Sequence, residues 1–301
     1  MRRKTTVLRS RRSPPMRITS YFVAFAALAV TACSSDVEDP AGGSVPSQQT
    51  AGGETPGGEN PGGTTPAPGG TTTPGPKPAD DPGPAPAGCT GITKDKDGFF
   101  KRKTSTADYV AFVPKGYDGK PTTLVVGMHG CGDSAQNFAT WAINPMKGRA
   151  TQAHIGISVG GKDGACWDTN ADQAKVTAAI ADISTCFYVH QQKVVLAGYS
   201  SGGILAYRMG LTDAAKYAGL IIENSGLGGA APASAAWKIN VAHTAHNGDT
   251  SFPLAKVQAD WAKLEAAGIP LQKRNVEGTH DGNSEDWSDW LLPKIATWKA
   301  P

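Results

Sequence analysis

The stretch Lys193-Val-Val-Leu-Ala-Gly-Tyr-Ser-Ser-Gly-Gly203, followed by Ile204-Leu-Ala-Tyr-Arg-Met209, decides the fold. Its first half is an apolar run rich in valine, which is typical of a buried strand, and its second half is compatible with a helix. Glycines two residues before and two residues after Ser200 permit a sharp turn between the two elements. Such a turn raises the serine hydroxyl above the end of the strand. We therefore interpret Ser200 as an exposed reactive serine; a glycine-rich structural turn is the alternative.

Working outward, apolar runs rich in valine and isoleucine alternate with longer segments of helical period. The predicted strands are Tyr109–Pro114, Thr123–His129, Ile155–Gly160, Lys193–Tyr199, Gly219–Glu223, Ile239–His246 and Leu271–Val276. Apolar residues recur at helical spacing from Val176 to Phe187 and from Leu254 to Leu264, and a last helix is expected over about Asn283–Trp298. This alternation predicts an α/β domain, with a mostly parallel sheet covered by helices on both faces.

The chain of 301 residues divides into three parts by composition. Residues 1–33 combine a basic start, the apolar run Tyr21–Val30 and small residues before Cys33, which resembles a lipoprotein signal peptide with Cys33 as the lipidated residue. An ordinary signal peptide with an incidental cysteine is the alternative. Residues 34–88 are rich in glycine, proline and threonine and are expected to be a disordered linker. Residues 89–301 are long enough for one domain with a sizeable core.

This organisation predicts an extracytoplasmic protein, either secreted or in contact with a membrane only through a lipid anchor at Cys33. The formal net charge of +3 includes the basic residues of the signal segment, so the mature protein is near neutral or mildly acidic. Nucleic acid is therefore not an expected partner, and we expect a monomer. Four cysteines remain in the domain and are expected to form two disulfides in an oxidising compartment, although the sequence permits three pairings.

A serine hydroxyl needs a base within hydrogen-bond reach and a group that orients that base. When the serine lies on a strand-to-helix turn of this kind, the acid and then the histidine follow it along the chain. Of the six histidines, His280 alone follows the last predicted strand in a loop. The preferred acid is Asp249, in the loop after the strand Ile239–His246, and Glu223 is the alternative. The alternative to a catalytic role is that Asp249 is only the N-cap of the next helix.

Backbone N–H groups that could stabilise an oxyanion are expected at two places. One belongs to Ser201 at the start of the helix, and the other to Cys131 in the glycine-flanked turn after the strand Thr123–His129, which could also be a plain turn. Cys166, in the loop after the following strand, is the preferred disulfide partner of Cys131, which leaves Cys89 to pair with Cys186. His243 and His246 lack a third ligand of a zinc site, so no metal and no cofactor are expected.

Three motifs together resemble a known family. They are Met128-His-Gly-Cys-Gly-Asp-Ser-Ala-Gln-Asn-Phe138, Ala165-Cys-Trp-Asp168 and Ala197-Gly-Tyr-Ser-Ser-Gly-Gly203. The combination is similar to extracellular polyhydroxybutyrate depolymerases and the related feruloyl and acetylxylan esterases, over about Tyr109 to Trp298. The resemblance implies an α/β-hydrolase fold without a large lid or a cofactor. It also implies that Ser200, Asp249 and His280 form a triad, that Cys131 and Ser201 donate to the oxyanion, and that Trp167 lines the substrate groove, where packing is the alternative role.

The function expected from these features is the hydrolysis of a carboxylic ester by a serine nucleophile. Feruloyl or acetyl esters of plant polysaccharide, in polymeric or oligomeric form, are the favoured substrates. Depolymerisation of polyhydroxybutyrate, a short-chain polyester, is the alternative within the same chemistry. A surface binding module that keeps a hydrolase fold without catalysis is the alternative of another class.

Overall fold

The computed structural model describes residues 80–161, 165–232 and 237–298. The predicted signal peptide, its lipidation residue Cys33 and residues 34–79 of the predicted linker lie outside the described residues. The last part of that linker, residues 80–88, lies along the domain: the Gly88 N–H donates to Thr185 O and the Gln191 N–H to Pro82 O. Contacts with the domain therefore begin before Cys89.

Eight strands of the described residues form one sheet in the order β1-β2-β4-β3-β5-β6-β7-β8. Their bounds are β1 Phe99–Lys103, β2 Asp108–Phe112, β3 Thr122–Met128, β4 Ile155–Val159, β5 Val189–Tyr199, β6 Gly219–Glu223, β7 Asn240–His246 and β8 Leu271–Val276. β2 pairs antiparallel with both β1 and β4, and every other neighbouring pair is parallel. The prediction of a mostly parallel sheet is confirmed, and β5 begins four residues earlier than expected.

Helical segments cover both faces of the sheet. They are α1 Ala135–Phe138 with the π-turn Ala139–Ile143, the 3₁₀ turn Arg149–Thr151, α2 Gln173–Cys186, α3 Ser201–Thr212, the 3₁₀ turn Ala214–Lys216, α4 Leu254–Ala266, α5 Ser284–Asp286, the π-turn Trp287–Leu291, α6 Leu292–Lys294 and the 3₁₀ turn Ile295–Thr297. Leu124 and Val126 of β3 pack with Val176 of α2, whereas Val125 between them packs with Phe138 and Trp287. Alternate side chains of β3 therefore pack into a hydrophobic core on each face of the sheet.

Two parts of this architecture differ from the prediction. β1 was missed, because a five-residue edge strand with three basic residues lacks the apolar run of a buried strand. The last helix, predicted over Asn283–Trp298, is divided into short α, π and 3₁₀ turns over residues 284–297, and Pro293 within it has no N–H to donate. No helix among the described residues is both long and apolar enough to span a bilayer.

The described part of the chain contains two disulfides, Cys131–Cys166 and Cys89–Cys186. This is the pairing that the sequence analysis preferred among the three possibilities. The first bridge joins the loop after β3 to the loop after β4, next to Ser200. The second joins the N-terminal part of the domain to the end of α2. Disulfides of this kind are typical of proteins from oxidising compartments.

Candidate active site

Ser200 occupies the sharp turn between β5 and α3. Its backbone has φ 54° and ψ −124°, a region that costs a non-glycine residue about 1–3 kcal/mol. Two contacts to the end of the neighbouring strand β6 hold this conformation. The Ser200 N–H donates to Glu223 O at 3.2 Å, and the Ser225 hydroxyl donates to Ser200 O at 2.7 Å. These two contacts hold the strained backbone of Ser200 in place.

The two glycines that flank Ser200 allow the turn to close against its surroundings. A Cβ atom on Gly202 would lie 2.0 Å from Met128 O, at the end of β3. A Cβ atom on Gly198 would lie 2.5 Å from Gly202 O, across the turn itself. Both distances are well inside van der Waals contact, so the start of α3 can approach β3 and β5 this closely only without side chains. This is the structural reason for the spacing seen in the sequence.

The structure brings Ser200, His280 and Asp249 together. Ser200 Oγ lies 2.9 Å from His280 Nε2, and His280 Nδ1 lies 2.8 Å from Asp249 Oδ2. The other carboxylate oxygen of Asp249 accepts the N–H groups of Ser251 and Phe252 at 2.8 and 2.9 Å. Asp249 is 4% exposed, and its carboxylate has a fixed orientation because both oxygens are hydrogen-bonded. The three side chains form one continuous chain of hydrogen bonds.

Glu223, the alternative acid, lies elsewhere. Its carboxyl oxygens accept the indole N–H of Trp287 at 2.6 Å and the backbone N–H of Asn283 at 3.0 Å, and within the described residues it makes no hydrogen bond to His280. Burial raises the pKa of Glu223 to about 8. The interpretation of Asp249 as a helix N-cap is not what the structure shows, because Pro253 occupies the N-cap of α4.

Two aromatic rings stack with the imidazole of His280, and neither was predicted from the sequence. The ring centroids of Tyr199 and Phe252 lie 5.4 and 5.6 Å from that of His280, and both rings are within 26° of its plane. The Tyr199 hydroxyl also donates a hydrogen bond to His280 O. These contacts restrict rotation of the imidazole plane. The sequence offers one signal for these contacts, which is position: Tyr199 is next to Ser200, and Phe252 follows Asp249 by three residues.

The predicted oxyanion donors both lie beside Ser200. Ser201 is the first residue of α3, where an N–H has no partner within the helix. Cys131 lies in the loop after β3 and is joined to Cys166 by the disulfide. Within the part of the chain that the structure describes, the N–H groups of Ser201 and Cys131 make no backbone hydrogen bond. Both residues line the cleft that contains Ser200.

A cleft of about 470 Å³ opens above Ser200. Besides Ser200, Ser201 and His280, its walls are formed by Cys131, Cys166, Trp167, Thr169, Tyr199, Ile204, Ser251 and Phe252. Trp167 also has a packing role: it is 7% exposed, its indole N–H donates to His129 O at 2.7 Å, and its ring contacts the His129 ring. Trp167 thus supports the loop that carries Cys131 while one edge faces the cleft.

His243 and His246 do not form a pair. The Trp261 indole N–H donates to His243 Nδ1 at 2.9 Å, and burial lowers the pKa of His243 to about 3. His246 instead contacts Asp286, with 2.8 Å between Nε2 and Oδ2. Residues three apart on a strand point to opposite faces, which explains the separation.

Neither protein-family profiles nor the sequences of curated proteins show a match to this chain. Solved structures do. A ferulic acid esterase matches with a TM-score of 0.53 at 14% identity, covering 66% of this chain and 97% of that chain. The CE1 ferulic acid esterase AmCE1/Fae1A from Anaeromyces mucronatus, in complex with ferulic acid, matches with a TM-score of 0.51 at 11% identity, covering 66% and 93%. FphF, a fluorophosphonate-binding serine hydrolase from Staphylococcus aureus, matches with a TM-score of 0.51 at 12% identity, covering 66% and 96%. At these identities the likeness concerns architecture, and with the sheet order and the turn at Ser200 it shows that the chain has the α/β-hydrolase fold.

Proposed function

We propose that this protein is a serine esterase that hydrolyses carboxylic esters. The observation that carries the proposal is the continuous chain of hydrogen bonds from Ser200 through His280 to Asp249 at the floor of an open cleft. A catalytic role also fits the strained turn that holds the serine, and the residues of both proposed oxyanion donors line the same cleft. Strain of this kind persists where the surrounding structure over-determines it, often at functional sites.

In the proposed mechanism, Ser200 Oγ attacks the ester carbonyl while His280 Nε2 accepts the hydroxyl proton. The Asp249 carboxylate stabilises the imidazolium that forms. The carbonyl oxygen becomes an oxyanion and accepts the N–H groups of Ser201 and Cys131; losing one such donor typically costs about 10²–10³ in kcat. His280 then protonates the leaving alcohol as the tetrahedral intermediate collapses to an acyl-enzyme. Water, deprotonated by His280, releases the acid and restores Ser200.

We further propose feruloyl or acetyl esters of plant polysaccharide as the substrates. The cleft is open and has aromatic walls from Trp167, Tyr199 and Phe252, which suits an aromatic acyl group or a short one beside a polymer chain. Two similar structures are those of ferulic acid esterases. A short-chain polyester such as polyhydroxybutyrate would use the same chemistry. Comparing kcat/KM on methyl ferulate, an aryl acetate and hydroxybutyrate oligomers separates these choices, and a preference for the oligomers would replace the polysaccharide proposal.

The proposed location is outside the cytoplasm, with a lipid on Cys33 and residues 34–79 as a tether. The disulfides support an oxidising compartment. Metabolic labelling with a fatty acid should label the wild type and not Cys33→Ala. Equal labelling of both proteins would contradict the anchor and leave the esterase proposal untouched.

The esterase proposal is tested by turnover of an aryl acetate by the wild type, Ser200→Ala and Ser201→Ala. Ser200→Ala should lower kcat by about 10⁴–10⁶, because the nucleophile is lost. Ser201→Ala is a matched control: it keeps the backbone N–H, and the Ser201 hydroxyl has no hydrogen-bond partner among the described residues. Its kcat should stay within about tenfold of the wild type. A folded wild type without turnover on any of the esters would favour the non-catalytic binding module.

A further inference from the structure

Behind the His280 loop lies a buried polar cluster that the proposed mechanism does not use. At its centre is His246, at the end of β7, which is 3% exposed. Its Nδ1 atom lies 2.7 Å from Thr279 O and its Nε2 atom 2.8 Å from Asp286 Oδ2. The other oxygen of Asp286 accepts from the Arg274 guanidinium at 2.5 Å. The cluster therefore joins the loop that carries His280 to β8 and α5.

The two shortest side-chain contacts of His246 favour its doubly protonated form. A carbonyl oxygen can only accept, so the contact with Thr279 O requires a proton on Nδ1. The Asp286 carboxylate also accepts from Arg274, so a hydrogen bond from His246 to Asp286 places a second proton on Nε2. We assign His246 as an imidazolium on these two contacts. The hydrogen bond to Asp286 also raises the pKa of His246 above its ordinary value, in agreement with this assignment.

Asn224 holds the same loop from the end of β6. It has φ 47°, a left-handed conformation that is uncommon outside glycine. Its side-chain oxygen accepts the backbone N–H of His246 at 3.0 Å. Its amide nitrogen lies 3.4 Å from Thr279 O and 3.3 Å from Asp281 O, the carbonyls on either side of His280. The amide nitrogen is also 2.9 Å from His246 Nδ1, which accepts from it only when Nδ1 carries no proton; with a proton on Nδ1, the amide protons are left to the two carbonyls.

We propose that Asn224, His246 and Asp286 form a clamp that positions His280 for catalysis by holding the backbone carbonyls of residues 279 and 281. The three are positioning residues, since none of them contacts Ser200 Oγ or the His280 ring by a hydrogen bond within the described residues. This inference rests on the proposed function. It adds a role for residues that the triad and the oxyanion donors leave without one.

Glu223, His246 and Asp286 also have ligand atoms within 4.8 Å of one another, a spacing at which a metal ion could be held. The hydrogen bonds favour the clamp. Both oxygens of Glu223 accept N–H groups, and the two oxygens of Asp286 face Arg274 and His246. The ligand atoms are thus already engaged within the protein.

The clamp makes activity sensitive to alkaline pH. The charged and titratable groups that face His246 are Glu223 of β6, 3.8 Å from Nε2, and Asp286 of α5, with Arg274 of β8 behind it. From the loop itself, the Asp281 carboxylate is directed to the Thr279 hydroxyl. A neutral imidazole has one N–H and cannot donate to both Thr279 O and Asp286. Deprotonation of His246 should therefore loosen the loop and lower kcat.

The test compares the wild type with His246→Gln and Asp286→Asn, using kcat and KM for an aryl acetate across the pH range. His246→Gln should lower kcat by about 10- to 100-fold, because small displacements of a catalytic group are costly, while KM changes little. Asp286→Asn removes the charge that favours the imidazolium, so the alkaline fall of kcat should move to lower pH. His190→Gln is the matched control: His190 is also buried beside a carboxylate, Asp80 at 3.1 Å, but at the opposite end of β5. It should leave both kcat and the pH profile unchanged.

Folded His246→Gln and Asp286→Asn proteins with the wild-type kcat and pH profile would overturn the clamp while the esterase proposal stands. Loss of turnover in the wild type would overturn the proposed function itself, so the two failures are distinct. If His246→Gln does not fold, Asp286→Asn, which keeps the size of the side chain, gives the answer. If neither folds, the wild-type profile decides, since the absence of an alkaline fall in kcat contradicts the clamp.

Discussion

Replacing Asp249 with asparagine changes one atom at the far end of the hydrogen-bonded chain. In the wild type, one carboxylate oxygen accepts the N–H groups of Ser251 and Phe252, and the other lies 2.8 Å from His280 Nδ1. The two backbone donors require an oxygen, so the asparagine carbonyl should take that position. Its NH₂ group then faces His280 and donates to Nδ1. This selects the tautomer with the proton on Nε2, which cannot accept the proton of Ser200.

The expected loss in kcat is about 10⁴-fold, the size seen when a triad acid elsewhere is replaced by its amide, and it corresponds to about 5 kcal/mol of activation free energy. KM should change little, because Asp249 is buried beneath His280. Stability should change little as well, since both hydrogen bonds to Ser251 and Phe252 are kept. The assay is the steady-state rate with an aryl acetate, with circular dichroism and thermal unfolding to verify the fold.

The matched variant is Glu223→Gln, at the other candidate acid. Glu223 bonds to Trp287 and Asn283 and not to His280, so Glu223→Gln should leave kcat within about tenfold of the wild type. A kcat within tenfold of the wild type for Asp249→Asn, together with a thousandfold loss for Glu223→Gln, would refute the assignment of Asp249 as the acid.

Three further outcomes follow from the same geometry. Gly202→Ala places a Cβ atom 2.0 Å from Met128 O, so it should destabilise the fold by about 3 kcal/mol and lower kcat. Wild-type stability and kcat would contradict the claim that α3 approaches β3 too closely for a side chain at this position. Replacing Cys131 and Cys166 together by serine removes a disulfide that spans 35 residues, and it should lower the free energy of unfolding in denaturant by about 2–4 kcal/mol. It should also lower kcat, because the Cys131 N–H is less well held. An unchanged denaturation midpoint would contradict this prediction. The pKa of Glu223 is raised from 4.5 to about 8, so the folded state binds this proton more tightly than the unfolded chain. Tm should therefore fall as the pH rises from about 4.5 to about 8, and Glu223→Gln should reduce this fall.

The local part of the site could be predicted from the sequence. The turn at Ser200 is encoded within about ten residues, because the strand, the two glycines and the helix are contiguous and each has its own signature. His280 followed by elimination, since it alone lies in a loop beyond the last predicted strand. Strand bounds were also close, with Gly219–Glu223 and Leu271–Val276 matching the structure.

The rest depends on contacts between distant segments. Asp249 and Glu223 both stand at strand ends, and only the position of Trp287 on the C-terminal segment shows which carboxyl is directed away from His280. The partners of His246 lie on three other segments, after β6, after β8 and in α5, so periodicity could not indicate them. β1 was missed for a related reason: its stability comes from pairing with β2 at the sheet edge rather than from its own apolar pattern.

The central claim is that Ser200 is a nucleophile activated by His280, and covalent labelling tests it most directly. The wild type, Ser200→Ala and His280→Ala are treated with a fluorophosphonate, and the adduct is located by mass spectrometry of the peptides. The account predicts one adduct on Ser200 in the wild type, none in Ser200→Ala and much slower labelling in His280→Ala. No labelling of a folded wild type, or equal labelling in Ser200→Ala, would contradict it.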